Sequence, residues 1–130
     1  MPNSTVIQSN DTARRMAEEA VKILRNMKGL RVQLFDVRET APFTDYYVLC
    51  TGRSNTHMRA LAREADDKMA ELGFVAESIE GRNSDAWILL DFSHIIIHVF
   101  SREARDFYNL ERLCAADKEI IIPDTDDLQN

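Results

Sequence analysis

The sequence predicts one α/β domain, α+β in its mixture of elements, with about five strands in a mixed sheet flanked by helices. Three observations carry that reading. Apolar residues recur at helical spacing in three separate stretches, and β-branched and aromatic runs lie between them. Two of those runs are joined by only Ser93-His94, too short a link for parallel neighbours. A chain of 130 residues that is 45% apolar and 29% charged can bury one core.

Residues Met1 to Asn10 are polar and aperiodic and are expected to be a flexible N-terminus. Ala13, Met16, Ala17, Ala20, Ile23, Leu24 and Met27 then mark the first helix, with Asn10, Asp11 or Thr12 as cap and Gly29 as its end. Val32, Leu34 and the run Phe35 to Val37 read as a strand that delivers Asp36 and Arg38 to its far end. After a loop through Pro42, Tyr46 to Thr51 forms a second strand. Gly52-Arg53-Ser54-Asn55 turns into a helix capped by Ser54 or Asn55, lined by Met58, Leu61, Ala62, Ala65, Met69 and Leu72, and closed by Gly73.

Phe74 to Ile79 is a weaker strand, and Glu80 to Ser84 a loop. Trp87 to Phe92 and Ile95 to Phe100 pair as an antiparallel hairpin, the second apolar on both faces and therefore central in the sheet. Ser101 caps a last helix carrying Ala104, Phe107, Tyr108, Leu110, Leu113 and Cys114. The single domain is placed at residues 11–116, with residues 117–130 as an acidic tail whose run Asp124 to Asp127 is expected to be mobile.

A formal net charge of −6 repels nucleic acid and favours basic partners, so a direct grip on RNA needs a local cationic patch. No stretch has the order of a signal peptide, and no apolar run approaches membrane-spanning length, so the expected location is the cytoplasm. Cys50 and Cys114 lie far apart and outside any ligand-spaced cluster, and read as two buried thiols.

No catalytic, cofactor or metal site is expected. The turn Gly52 to Asn55 could cradle a phosphate at a helix N-terminus, but the simpler reading is a turn with its cap. A phosphate-transferring enzyme also needs paired carboxylates on a neighbouring strand, and Asp66 and Asp67 are adjacent on a helix, about 100° apart. His57, His94 and His98 with Asp91 lack metal-ligand spacing, and no nucleophile-base arrangement stands out.

Trp87 opens a strand directly after the polar loop, so its ring is expected at the sheet edge, reaching a partner, with a core position as the rival reading. Asp85, Glu80 and Asp91 surround it with carboxylates that suit a basic partner; solvated charge is the alternative. His98 lies in the most apolar strand and reads as a neutral core or rim imidazole, beside which Tyr108, Leu110, Glu111 and Arg112 form the flank of a binding face if strand and helix pack together. Asp45 either fixes the loop backbone or pairs with Arg38.

Three segments resemble the ribosome-silencing factor, or Iojap, family. They are Asp36-Val37-Arg38 with Phe43 to Asn55, then Glu80-Gly81 with Asp85 to Asp91, then His98-Val99-Phe100 with Glu103 to Arg112. Together with their spacing they cover about residues 14–112. The resemblance implies a nucleotidyltransferase-like shape, a non-enzymatic protein without cofactors, and commonly a homodimer. It further implies binding to the large ribosomal subunit through ribosomal protein L14, where the small subunit would dock, so that the block is steric and acts under nutrient shortage. Organellar relatives serve large-subunit assembly. Cys114 stands where many relatives carry Trp, and Ser93-His94 where Gly-Asp is frequent.

Overall fold

The computed structural model describes residues 2–114 and 118–123, and for residues 2–11 the backbone alone. Its elements are α1 (Pro2–Asn26), β1 (Leu30–Asp36), β2 (Tyr46–Thr51), α2 (Asn55–Glu71), β3 (Ser78–Glu80), β4 (Trp87–Asp91), β5 (Ile95–Phe100), α3 (Arg102–Tyr108), the single turn α4 (Leu110–Leu113) and β6 (Lys118–Ile120). The strands form one mixed sheet in the order β3-β4-β5-β2-β1-β6. The fold is α+β, with six strands where the sequence suggested about five.

The central pairing is parallel, β2 against β5, and all the others are antiparallel. Strand periodicity then sorts the side chains onto two faces. On one face lie Leu34, Tyr46, Val48, Cys50, Ile88, Leu90, Ile95, Ile97 and Val99, buried beneath α1 and α2 through residues such as Ala17, Leu24, Met58 and Leu61. On the other lie Phe35, Leu49 and Phe100, covered among the described residues by Ala104, Leu110 and Cys114 of α3, α4 and the residue that follows, with Val37 and Ala41 beside them. The two faces are therefore unequally covered, since a seven-residue helix and one further turn cannot hide a six-stranded sheet.

The caps of α2 and α3 fall where the sequence placed them. Ser54 Oγ accepts from the His57 amide at 3.0 Å, and Ser101 Oγ from the Ala104 amide at 3.0 Å. Gly73 closes the turn after α2 at φ +94°, a left-handed backbone that glycine adopts without penalty. Cys50 and Cys114 are both buried and not joined in a disulfide, and burial pushes the Cys50 thiol up to about 12.

Four elements differ from the sequence reading. The backbone of α1 begins at Pro2, because no residue between Pro2 and the suggested caps at Asn10 to Thr12 interrupts a helix. The weak strand over Phe74 to Ile79 shifts to Ser78–Glu80, since Phe74 and Ala76 pack against the α1 and α2 core as a connection leaving Gly73. Lys118–Ile120 is not tail but an edge strand on β1, with Leu34 opposite Ile120; a three-residue strand is too short for periodicity to register. The expected last helix breaks at Asn109, which takes φ 47° and divides α3 from α4. The acidic run Asp124 to Asp127 lies outside the described residues.

A buried cation fastens α3 and α4 to the sheet. Arg105 is 1% exposed. It donates to Thr51 Oγ1 at 3.0 Å and to Gln33 Oε1, and its Nε lies 3.0 Å from Glu111 Oε1. Burial lowers its affinity for the proton while Glu111 opposes that trend. Glu111 also accepts from Arg31 at 2.6 Å, and Arg31 reaches Asp106 at 3.1 Å. Arg31 sits at a bulge where β1 shifts register against β2, with φ 49°, and the bulge aims its side chain at α3 and α4.

Replacing Arg105 by Ala strands Gln33, Thr51 and Glu111 beneath α3, and should cost about 3 kcal/mol or more in urea denaturation. A loss confined to a few tenths of a kcal/mol would show that α3 is held by apolar contact alone.

Candidate functional site: an aromatic surface on the thinly covered face

Where α3 stops short, aromatic side chains cover one another. Trp87 pairs with Phe100 across the β4–β5 hairpin, and their ring centroids are 4.9 Å apart. Tyr108, the last residue of α3, lies 4.9 Å from Trp87 on its other flank. The left-handed Asn109 ends α3 at this point and leaves Tyr108 at the corner, 48% exposed. Phe107 beside it is 81% exposed and meets Tyr108 edge-on at 5.1 Å. Leu113 on α4 is 74% exposed.

Beneath this surface His98 fixes the tryptophan. Trp87 Nε1 donates to His98 Nδ1 at 3.1 Å, so Nδ1 acts as acceptor and a neutral ring carries its proton on Nε2. His98 is buried, with Tyr47 edge-on at 4.7 Å. Burial, with the Arg105 cation adding to it, pushes His98 down to about 3. Both effects keep the ring neutral and the indole bond intact at ordinary pH. Trp87 is therefore half-buried on the sheet face rather than free at the edge, which places it between the two sequence alternatives.

The loop before β4 is shaped to present that ring. Gly81 takes φ +75°, and a Cβ there would stand 2.5 Å from the Trp87 carbonyl oxygen. Ser84 Oγ accepts from the amides of Ala86 and Trp87 at 3.0 and 3.1 Å. Glu80, Gly81, Trp87 and Leu89 line an open depression next to the aromatic surface. Asp85 is exposed on the loop and accepts from Arg59 at 2.7 Å.

The remaining candidate residues divide. Arg112 is exposed on α4, whereas Leu110 is buried under it. Glu111 is committed inward to Arg105 and Arg31. Asp91 does not join the carboxylates around Trp87: it ends β4 opposite Ile96, four residues and roughly 13 Å of strand away. There Asp91 Oδ1 accepts from the Ser93 amide at 2.8 Å and holds the hairpin turn. Asp45 faces His94 at 3.3 Å instead of Arg38, because Asp36 occupies Arg38 with a two-pronged pair at 2.9 and 2.6 Å. That pair holds the Asp36 carboxyl below its usual value.

Sequence reasoning named Phe107 and Leu113 only as apolar helix residues. The available signal was that Ala104, Phe107, Tyr108, Leu110, Leu113 and Cys114 are too many apolar positions for one helix face. The Arg105 network left no such signal.

The first two amides of the turn Gly52 to Asn55 are engaged internally, and Ser54 serves as the helix cap. Gly52 N donates to Phe100 O at 2.9 Å, Arg53 N to His57 Nδ1 at 2.9 Å, and His57 N to Ser54. A Cβ on Gly52 would come within 2.9 Å of the Met58 amide nitrogen, so glycine serves the close approach of strand and helix. Among the described residues no group of His, Cys, Asp and Glu is arranged to hold a metal, and no helix is long and apolar enough to cross a membrane.

The family model for "Ribosomal silencing factor during starvation" matches residues 10–130. The chain belongs to the ribosomal silencing factor (RsfS/Iojap) family. It is 34% identical over 100 residues to the ribosomal silencing factor of Haemophilus influenzae, covering 77% of this chain and 98% of that one. Against the Bacillus subtilis factor it is 35% identical over 78 residues, 60% of this chain and 66% of that one. A mitochondrial Iojap-related protein of Arabidopsis thaliana is 30% identical over 117 residues, 86% of this chain and 63% of that one. A crystal structure from Chromobacterium violaceum superposes with a TM-score of 0.72 at 26% identity, covering 88% of this chain and 92% of that one. Members of the ribosomal silencing factor family are ribosome regulators rather than enzymes.

His98 yields a pH prediction. Its folded value near 3 lies below the unfolded value near 6.5, so the stability it contributes is complete above pH 6.5 and drains away as pH falls toward 3. Unfolding free energies from urea titrations between pH 7 and 4.5 should fall by up to about 1.4 kcal/mol per pH unit from this group. His98→Gln should flatten that slope, and an identical slope in both proteins would contradict the assignment.

Proposed function

We propose that this chain binds the large ribosomal subunit through ribosomal protein L14 at the subunit interface and sterically blocks joining of the small subunit. Translation is thereby repressed in the cytoplasm under nutrient shortage. The observation that carries this reading is the aromatic surface: Trp87 held from below by His98, flanked by the exposed Tyr108 and Phe107, bordered by Glu80, and entered from the loop that carries the exposed Asp85. Tryptophan and tyrosine dominate the energetic centres of protein interfaces, and carboxylates around them suit a basic ribosomal protein.

Trp87 and Tyr108 supply the anchor, Asp85, Glu80 and Arg112 the polar rim. His98, Leu110 and Glu111 support the surface from beneath, and Asp91 acts at a distance by holding the hairpin. The apolar exposure of Phe107 and Leu113 also suits self-association, so the free protein is a homodimer that opens its surface to the ribosome.

A second reading is help in large-subunit assembly. It is favoured by likeness to a mouse protein named mitochondrial assembly of ribosomal large subunit protein 1, 29% identical over 96 residues, 72% of this chain and 42% of that one. Counting large-subunit precursors in cells lacking the protein separates the two, because a pure anti-association factor leaves precursors unchanged.

Trp87→Ala should lower affinity for isolated ribosomal protein L14 by about thirtyfold or more, a loss of 2 kcal/mol on the scale of interface hot spots. Its circular dichroism and unfolding midpoint should show a folded protein, and subunit joining should recover in its presence. Full-strength binding by the folded variant would sink the proposed anchor.

A further inference from the structure

The chain carries a net charge of −6, yet three arginines converge at one place. A cleft of about 230 Å³ between α2 and the β3–β4 loop is lined by Arg59, Ala62, Arg63, Ile79, Arg82 and Asn83, with no carboxylate among them. We propose that this cleft binds phosphate groups of the large-subunit RNA backbone. The inference rests on the reading of the ribosome as partner and adds a second class of contact to it.

Arg59 and Arg63 stand four residues apart on α2, on the same side of the helix, where like charges repel. Arg82 comes from the loop whose course is set by the left-handed Gly81 and by Ser84, so it faces them from a fixed support. Only Arg59 has a carboxylate partner, the exposed Asp85 at 2.7 Å. Among the described residues Arg63 and Arg82 have none, which leaves two guanidinium groups free beside a third that is already oriented.

A guanidinium presents paired N–H groups that match two oxygens of a phosphate, and the Asn83 amide adds a neutral donor. Ala62 and Ile79 give the cleft an apolar floor that lowers competition from water. The position fits a flanking contact. Register puts Ile79 opposite Leu90 on the α2 side of the sheet, and Glu80 opposite Leu89 on the side of Trp87. The cleft and the aromatic surface thus lie on opposite faces of one sheet edge, divided by the loop that carries Asp85. A protein seated over Trp87 leaves the cleft open to RNA running along β3 and α2.

RNA rather than an acidic protein segment is favoured by the number of unpaired cations. Phosphates spaced along a backbone reward several separate guanidinium groups through counterion release, which makes the contact salt-dependent.

The test uses the full chain and its Arg63→Gln, Arg82→Gln double variant, with purified large subunits and isolated ribosomal protein L14 as separate probes. On large subunits the variant should bind about tenfold more weakly near physiological salt. Its plot of log affinity against log salt should be shallower by about two, one per lost phosphate contact. Binding to isolated L14 should not change. An unaltered salt slope on large subunits overturns the proposal, and an equal loss toward isolated L14 overturns it by assigning the arginines to the protein interface. If the unmodified chain ignores isolated L14 but binds large subunits with a steep salt slope that the variant loses, the L14 assignment fails while the RNA contact stands.

Discussion

A sheet with two apolar faces and long helices for only one of them governs this molecule. Helices α1 and α2 bury one face completely, from Leu34 and Val48 to Ile97 and Val99. Among the described residues the other face has α3 and the turn α4, and these stay in place because Arg105 reaches through to Thr51 and Gln33 while Glu111 and Arg31 close the network at the surface. A buried arginine is costly without partners, so its hydrogen bonds to Thr51 and Gln33 and its ion pair with Glu111 specify one seating for α3. Everything beyond the reach of that helix must be covered by side chains packing on one another. Trp87, Phe100, His98, Tyr47 and Tyr108 do so, and the outer surfaces of Trp87 and Tyr108 remain open.

The same economy links stability to recognition. His98 is held neutral because it is buried near Arg105, and in that state it accepts the indole proton of Trp87. An anchor with its rotamer fixed before contact loses less entropy on binding than a free side chain. The carboxylates Asp85 and Glu80 sit on the loop and strand end that lead into Trp87, so a basic partner meets charge at the rim and aromatic surface at the centre. On the opposite face of that edge the arginines reverse the sign, which suits a partner built of both protein and RNA.

Much of this was legible in the sequence, for physical reasons. Ser54 and Ser101 announce helix starts because a hydroxyl before an amphipathic run has free amides to accept from. The two-residue link at Ser93-His94 forces an antiparallel hairpin, and the all-apolar run Ile95 to Phe100 belongs inside a sheet; it lies third of six strands. Trp87 stood out as a lone aromatic after a polar loop. What stayed hidden depends on contacts distant along the chain. Nothing local says that Arg105 is buried 54 and 72 positions from the residues it binds, or that Lys118–Ile120 pairs with β1. Asp91 looked like a neighbour of Trp87 because both belong to one short strand, but strand geometry carries them to opposite ends. Asn109 divides the last helix through a left-handed backbone that its composition permits without requiring.

Because Trp87 is the sole tryptophan, one optical measurement addresses the central claim. With 5-hydroxytryptophan incorporated at position 87, its emission can be excited apart from the tryptophans of ribosomal proteins. Adding purified large subunits should shift that emission to the blue and shield it from a soluble quencher, while small subunits should leave it unchanged. Co-sedimentation with large subunits while the label stays as open to quencher as in the free protein would contradict the account.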